Sequence, residues 1–350
     1  MAVDRFGNPH APNLPYARGK ILAGTEDDFA KLEVAWSWIR RRGPGSIHIF
    51  TGLEHSLPLA AEELAFADDE IAPALYFERL KELAFRHLGG SPDLHDIAVF
   101  NRLTGATMAT HLTLVRPGDV VIGVSESHSH PSVVRAAEHS RARFIDTAGL
   151  AAFHDAMAVE RSVALVVLTR LAVTYDLMPI AAIRAIVELA HDKGALVYMD
   201  DAGGARVGPA AFEQPRMLEL GVDIGATGLD KYGTKGPRLG LLAGRKDLVA
   251  KIRAKSFEFG MEARQMLYPA VVRTLEQYER SASCCAGKSK NTRDATKSHP
   301  DRRRRESLQR PRVRAQTHRR AGSNPPRSDR PICPPRSFRL RRKGRAAWQR

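Results

Sequence analysis

A chain of 350 residues, 43% of them apolar, is long enough to bury one or two cores. Its formal net charge of +15 suggests a nucleic-acid partner until it is located: residues 281–350 hold 22 Lys and Arg against 4 Asp and Glu, while the other 280 residues hold 32 against 35, a net of −3. The three cysteines, Cys284, Cys285 and Cys333, also lie in the tail, so the body needs no disulfides. No run reaches the roughly 18 apolar residues of a membrane span, and the N-terminal stretch has no apolar signal core. The expectation is a cytoplasmic protein without membrane contact.

In chain order, residues 1–50 form an N-terminal segment and 51–280 an α/β body. "LYFERLKELAFRHLGG" places Phe77, Leu80, Ala84 and Leu88 on one helical face, and Gly89–Gly90 ends that helix. "IAVF" reads as a strand, "TGATMATHLTLV" as a helix, "VVIGV" as a strand and "PSVVRAAEH" as a helix. "RFIDT" and "VALVVLT" follow as strands, then the helix "PIAAIRAIVELAHDKG" and the strands "ALVYMD", "DIGAT" and "LGLLAG". This alternation predicts a mainly parallel sheet with helices on both faces.

Residues 281–350 break the pattern. They are rich in Arg, Ser and Pro and too poor in aliphatics to repay ordering, which predicts disorder. The tail has no named RNA motif, so any binding to nucleic acid is expected to be non-specific. Arg in large excess over Lys, with scattered Pro, Ser and Cys, is also what a GC-rich gene yields when read out of frame.

Open α/β sheets bind ligands beyond the carboxyl ends of their strands. After "IAVF", Gly105, Ala106 and Thr107 open a helix with Thr104 near its N-cap. A helix start is a phosphate site, although any capped helix reads the same way. After "VVIGV" come His128 and His130, two residues apart, without a companion set for metal; an imidazole there can stack on a planar ring. Asp200 ends a buried strand, where a carboxylate needs a partner such as a protonated ring nitrogen. Asp201, its competitor, alternates to the other side. After "DIGAT" comes "GLDKYGTKGPRLG" with Lys231 and Lys235. An anion site, a stacking ring, an acid for a ring nitrogen and a loop amine together describe a pyridoxal 5'-phosphate site.

With these residues in place, the chain resembles the fold-type I pyridoxal-phosphate-dependent transferases. Within them it is similar to the bacterial selenocysteine synthase group, the L-seryl-tRNA(Sec) selenium transferases, and their uncharacterised archaeal-type relatives. The likeness rests on "RLTGATMATHLTLVRPGD", "SHSHPSVVRAAEH", "VYMDDAGGARVG", "LELGVDIGATGLDKYGTKGPRLGLLAG" and "FEFGMEARQMLYPAVVRTLEQY". It implies that Lys231 carries the Schiff base, that Asp200 faces the pyridine nitrogen and that His130, rather than His128, stacks on the ring. It assigns the phosphate to Thr104, Gly105, Ala106 and Thr107. It also implies a homodimer or larger homo-oligomer. The loop after Lys231 is one residue longer than the family pattern. The family's C-terminal small domain is missing from this reading, because "PAVVRTLEQYE" runs straight into the basic tail.

The reaction implied is β-elimination or replacement on a small-molecule or aminoacyl-tRNA substrate, with Lys231 as general base once displaced. One alternative is a lyase or aldolase acting on a free amino acid. Others are an inactive, truncated remnant with an adventitious basic tail, and a nucleic-acid-binding protein.

Overall fold

Strand alternation divides the apolar residues of the body into two cores, one on each side of a sheet. Along β1 (His95–Phe100), Ile97 and Val99 enter one core while Ala98 and Phe100 enter the other. Along β4 (Leu165–Leu168) the four residues divide the same way, and all are buried. Strands with no solvent face need helices on both sides. The computed structural model describes residues 25–43, 45, 53 and 60–279. The predicted tail, and the out-of-frame origin suggested for it, lie outside the described residues.

The remaining strands are β2 (Val120–Ser125), β3 (Arg143–Ala148), β5 (Leu196–Asp200), β6 (Ile224–Gly228) and β7 (Gly240–Arg245). Their order is β1-β7-β6-β5-β4-β2-β3. Neighbours from β6 to β3 are parallel, and β7 is antiparallel to both β6 and β1. The mainly parallel sheet expected from the alternation is therefore present.

Three helices cover one face: α4 (Leu103–Leu114), α5 (Pro131–His139) and α9 (Lys246–Glu258). The other face carries α3 (Ile71–Leu88), α6 (Gly149–Val159), α7 (Ile180–Asp192) and the helical residues 268–279. On α3, Leu80, Ala84 and Leu88 are buried as their spacing predicts, and Phe77 stacks on Tyr268 at 6.1 Å between centroids. Gly89 ends that helix in the left-handed region at φ 80°.

The sequence reading contains no helix at α6, α8 (Gly204–Phe212) or α9. In α6 the run "GLAAFHDAMAV" buries only Phe153 and Met157, a stripe too thin to stand out. The reading also begins α4 late. Its N-cap is Arg102, so Thr104 lies inside the first turn and does not cap it. Two helices precede α3, the 18-residue α1 (Thr25–Arg42) and the single turn α2 (Ala61–Leu64).

Candidate active site

Because only β7 is reversed, the other strands all run toward one edge of the sheet, and β7 begins there. Strands β3 and β4 lie on opposite sides of β2, which opens a crevice at the carboxyl end of β2. The strand-end residues singled out in sequence therefore share one edge.

Two residues after β6, Asp230 is buried, and Lys231 follows it half-buried, while Lys235 is exposed. A methyl group on Gly228 would lie 2.9 Å from Asp230 Oδ1 and 3.0 Å from Lys231 Cε, so the bare glycine leaves room for both side chains to fold back over the strand end. Lys231 Nζ lies 3.9 Å from Asp230 Oδ1, and Arg238 Nε lies 3.6 Å from the other oxygen. Desolvation, then the Arg206 and Arg238 charges, lower the Lys231 pKa against the pull of Asp230 and Asp200. The lone residue described between 46 and 59, Leu53, bridges to the backbone of Lys231.

Asp200 shares its side of β5 with Tyr198, which lies in the core beneath α4. Its carboxylate accepts from the Ala202 N–H, but Oδ1 is buried with no hydrogen-bond partner among the described residues. Burial pushes this acid up to about 6, with Lys231 and the Ala202 N–H pulling the other way. Asp201 faces the opposite core and is committed there: Arg170 Nη2 donates to its Oδ2 at 2.8 Å, with both side chains wholly buried. Burial raises Asp201 to about 6 as well, against Arg170 and Arg206. The two neighbouring acids thus differ in availability.

At the end of β1, Arg102 has φ 74° and ψ 155°, a conformation costly for any residue but glycine, before α4 begins. Gly240 at the start of β7 packs against this turn, and a methyl there would lie 2.8 Å from the Arg102 carbonyl oxygen. Thr104 is exposed at the helix start and Gly105 half-buried, with its N–H donating to the Arg102 carbonyl at 3.1 Å. Ala106 is buried. Thr107 departs from its expected role: its hydroxyl turns inward to the Leu103 carbonyl at 3.2 Å and to Tyr198 Oη at 2.9 Å. Its side chain serves the packing of α4 on the sheet. Of the four residues predicted to hold a phosphate, Thr104 alone has an exposed side chain, in the first turn.

His130 is the N-cap of α5, and its Nδ1 accepts from the Ser132 N–H at 3.2 Å. That bond leaves the ring proton on Nε2 and fixes the ring plane. Burial holds its pKa down at about 4, helped by Lys231, Arg135 and His128, so the ring is neutral near pH 7. The turn before it is anchored by Ser129, whose hydroxyl donates to Asp146 Oδ1 at 2.9 Å. Among the described residues no cluster of three or more His, Cys, Asp or Glu is placed to hold a metal, and no helix is long and apolar enough to cross a membrane.

The residues present fit a pyridoxal phosphate. A buried acid oxygen lacks a donor, a neutral ring is fixed nearby, an amine with lowered pKa lies at the next strand end, and a helix start offers N–H groups to an anion. Sequence reasoning missed Arg170, Arg206, Arg102 and Arg238. Arg170 follows β4 by two residues, so the strand-end rule would have found it had it been applied to "LVVLTR". Arg206 gave no such signal, because it lies inside a helix that the reading did not contain.

No protein-family model matches the chain. A UPF0425 pyridoxal phosphate-dependent protein of Methanothermobacter thermautotrophicus is 35% identical over 251 residues, covering 71% of this chain and 64% of that protein. Its namesake in Methanosphaera stadtmanae is 29% identical over 71% of this chain and 62% of its own length. Another, from Methanococcus maripaludis, is 30% identical over 248 residues, 71% of this chain and 69% of that protein. The chain thus spans a little under two thirds of the first two relatives. Among solved structures, a probable N-succinyldiaminopimelate aminotransferase from Thermus thermophilus superposes with a TM-score of 0.55. That match covers 73% of this chain and 74% of that one at 19% identity, a likeness of fold. The architecture is that of the fold-type I pyridoxal-phosphate enzymes.

Proposed function

The chain belongs to the UPF0425 pyridoxal phosphate-dependent proteins, and from that premise we propose that it is a transferase or lyase that binds pyridoxal phosphate through Lys231. The observation that carries this reading is the buried, unpartnered Oδ1 of Asp200 on the sheet face over which Lys231 folds. When bound, the cofactor supplies an electron sink for charge developing at the substrate α-carbon.

The chain's own residues do the rest. Asp200 would accept a hydrogen bond from the ring nitrogen at its free oxygen. His130, its plane set by its cap, would wall the ring. The N–H groups at the start of α4, with Thr104, would hold the phosphate. Lys231 is desolvated, which shifts it toward its neutral amine. Its Nζ would take the α-carbon proton and deliver it to the departing β-hydroxyl, which would leave as water. The finer reading is β-elimination or replacement at a seryl group, on tRNA or free, as the likeness to the selenium transferases suggests. A homodimer or larger homo-oligomer is part of this proposal. Non-specific, salt-sensitive binding of nucleic acid by residues 281–350 also belongs to it, and retention on duplex DNA at low and high salt, with and without those residues, is its check.

The test begins with capture. Pyridoxal phosphate is added to the full chain, fixed with borohydride and located by mass spectrometry. The label is expected on Lys231, lost in Lys231→Ala and kept in Lys235→Ala. A label that follows Lys235 overturns the assignment. Turnover of seryl-tRNA is then compared with that of free amino acids. Lys231-dependent loss of the seryl hydroxyl from the tRNA ester supports the finer reading, and turnover of free amino acids alone replaces it with a lyase or aldolase.

A further inference from the structure

Arg206 lies in the first turn of α8 and is 1% exposed. Its Nη1 donates to Thr227 Oγ1 on β6 at 2.9 Å, and its Nη2 to the Ala202 carbonyl just past β5 at 2.6 Å. Nη1 also lies 3.4 Å from His87 Nε2, while Nε has no partner among the described residues. One guanidinium therefore spans both strand exits that carry the site. Ala202 is the residue whose N–H donates to Asp200, and Thr227 lies on the strand that leads to Lys231.

A buried cation is costly unless a carboxylate pairs with it. Among the described residues no carboxylate forms an ion pair with Arg206. Asp201 feels its charge but is taken by Arg170 at 2.8 Å. His87 faces it from α3, but burial holds that imidazole down to about 3, so it stays neutral and offers only a lone pair. Asp230, Tyr232 and Tyr278 face it from the lysine loop and the last helix. A methionine at this position would avoid the cost and lose the bonds to Thr227 and Ala202 and the longer contact with His87.

We propose that Arg206 is a positioning residue that ties the exits of β5 and β6 together and keeps a buried positive charge, held in no direct ion pair among the described residues, near Lys231. Its bonds hold the Ala202 peptide so that the N–H meets Asp200. Its charge disfavours the ammonium form of Lys231, in the same direction as desolvation and Arg238 and against Asp230 and Asp200. His130, also facing the amine, is neutral near pH 7 and adds little. The result is an amine kept ready to react, tuned by a cation that touches neither cofactor nor substrate.

The proposal rests on Lys231 as the reactive amine, a premise that the capture experiment tests separately in the unaltered chain. The test is the titration of Lys231 in the cofactor-free full chain. Trace acetylation with acetic anhydride across pH 6–11, quantified by mass spectrometry with Lys235 as internal reference, gives the midpoint of each amine. Arg206→Gln is expected to raise the Lys231 midpoint by roughly one pH unit and leave Lys235 unmoved. Arg206→Lys, which keeps the charge but not the two-armed bridge, is expected to keep the low midpoint while speeding amide exchange at Ala202 and Gly203. Equal Lys231 midpoints in the unaltered chain and Arg206→Gln overturn the proposal. Where Arg206→Gln does not fold, Arg206→Lys decides: a low midpoint with faster exchange supports the proposal, and a midpoint equal to that of Lys235 overturns it.

Discussion

Asp200 and Asp201 are adjacent, chemically identical and both buried, yet the fold gives them opposite roles. Asp201 closes an ion pair with Arg170 in the core beneath α3, α6 and α7, and Asp200 keeps one oxygen open toward the site. Their alanine variants are therefore expected to fail in different assays. Asp201→Ala strands the Arg170 charge and is expected to cost about 3–5 kcal/mol of stability, read as a lowered urea midpoint. Asp200→Ala removes a desolvated acid without stranding a paired cation. It is expected to fold near normally while losing most of its affinity for pyridoxal phosphate, read by spectroscopic titration. Equal loss of stability in both variants would falsify the division of roles. The lysines separate by the same logic, since Lys231 is desolvated over Gly228 while Lys235 is exposed.

At the scale of elements, the site depends on how α4 begins. Arg102 holds a strained turn, and the bare backbone of Gly240 lets that turn sit directly on β7. A side chain at Gly240 would meet Arg102 and Leu103 backbone atoms at 2.8–2.9 Å, and backbone moves less readily than a side-chain tip. Gly240→Ala is expected to push the first turn of α4 away from the sheet. The cost is on the order of 1–3 kcal/mol in stability, with weakened binding of inorganic phosphate and pyridoxal phosphate. A crystal structure with α4 unmoved, or unaltered phosphate binding in a competition titration, sinks this account. The other end of the same packing is Thr107, whose bond to Tyr198 locks α4 onto β5 above Asp200.

The whole molecule carries a signature of buried imidazoles. His87, His111 and His130 are held down by burial to about 3, 4 and 4 from an ordinary 6.5. Each binds its proton more weakly folded than unfolded. Their contribution is therefore complete above pH 6.5 and is lost as pH falls toward 4. Asp200 and Asp201, raised to about 6 from 3.8, act in the opposite sense, since their contribution is lost as pH rises from 3.8 to 6. The histidine shifts are larger and more numerous, so net stability is expected to fall on acidification from pH 7 to 5. His111 donates from Nδ1 to the Thr107 carbonyl at 2.8 Å, and its Nε2 has no partner among the described residues, which makes it a clean probe. His111→Gln is expected to flatten the slope of urea midpoint against pH over that window. A variant whose slope matches that of the unaltered chain counts against this assignment.

What the sequence by itself determined is everything with a local cause. Short continuous apolar runs such as "VVIGV" and "ALVYMD" specify buried strands, the Pro131 start and His139 end bound α5, and glycines mark the ends of elements. Residues placed one after another at strand ends, His130, Asp200 and Lys231, follow from that reading because every parallel strand delivers its carboxyl end to the same edge. Only the tertiary structure decided the rest. The reversal of β7, the commitment of Asp201 to Arg170, the inward turn of Thr107 and the reach of Arg206 to Thr227 all join residues on separate elements. No periodicity encodes such pairs. A buried polar group takes whichever partner the packed core brings within reach, and that is known only once the sheet order has been set.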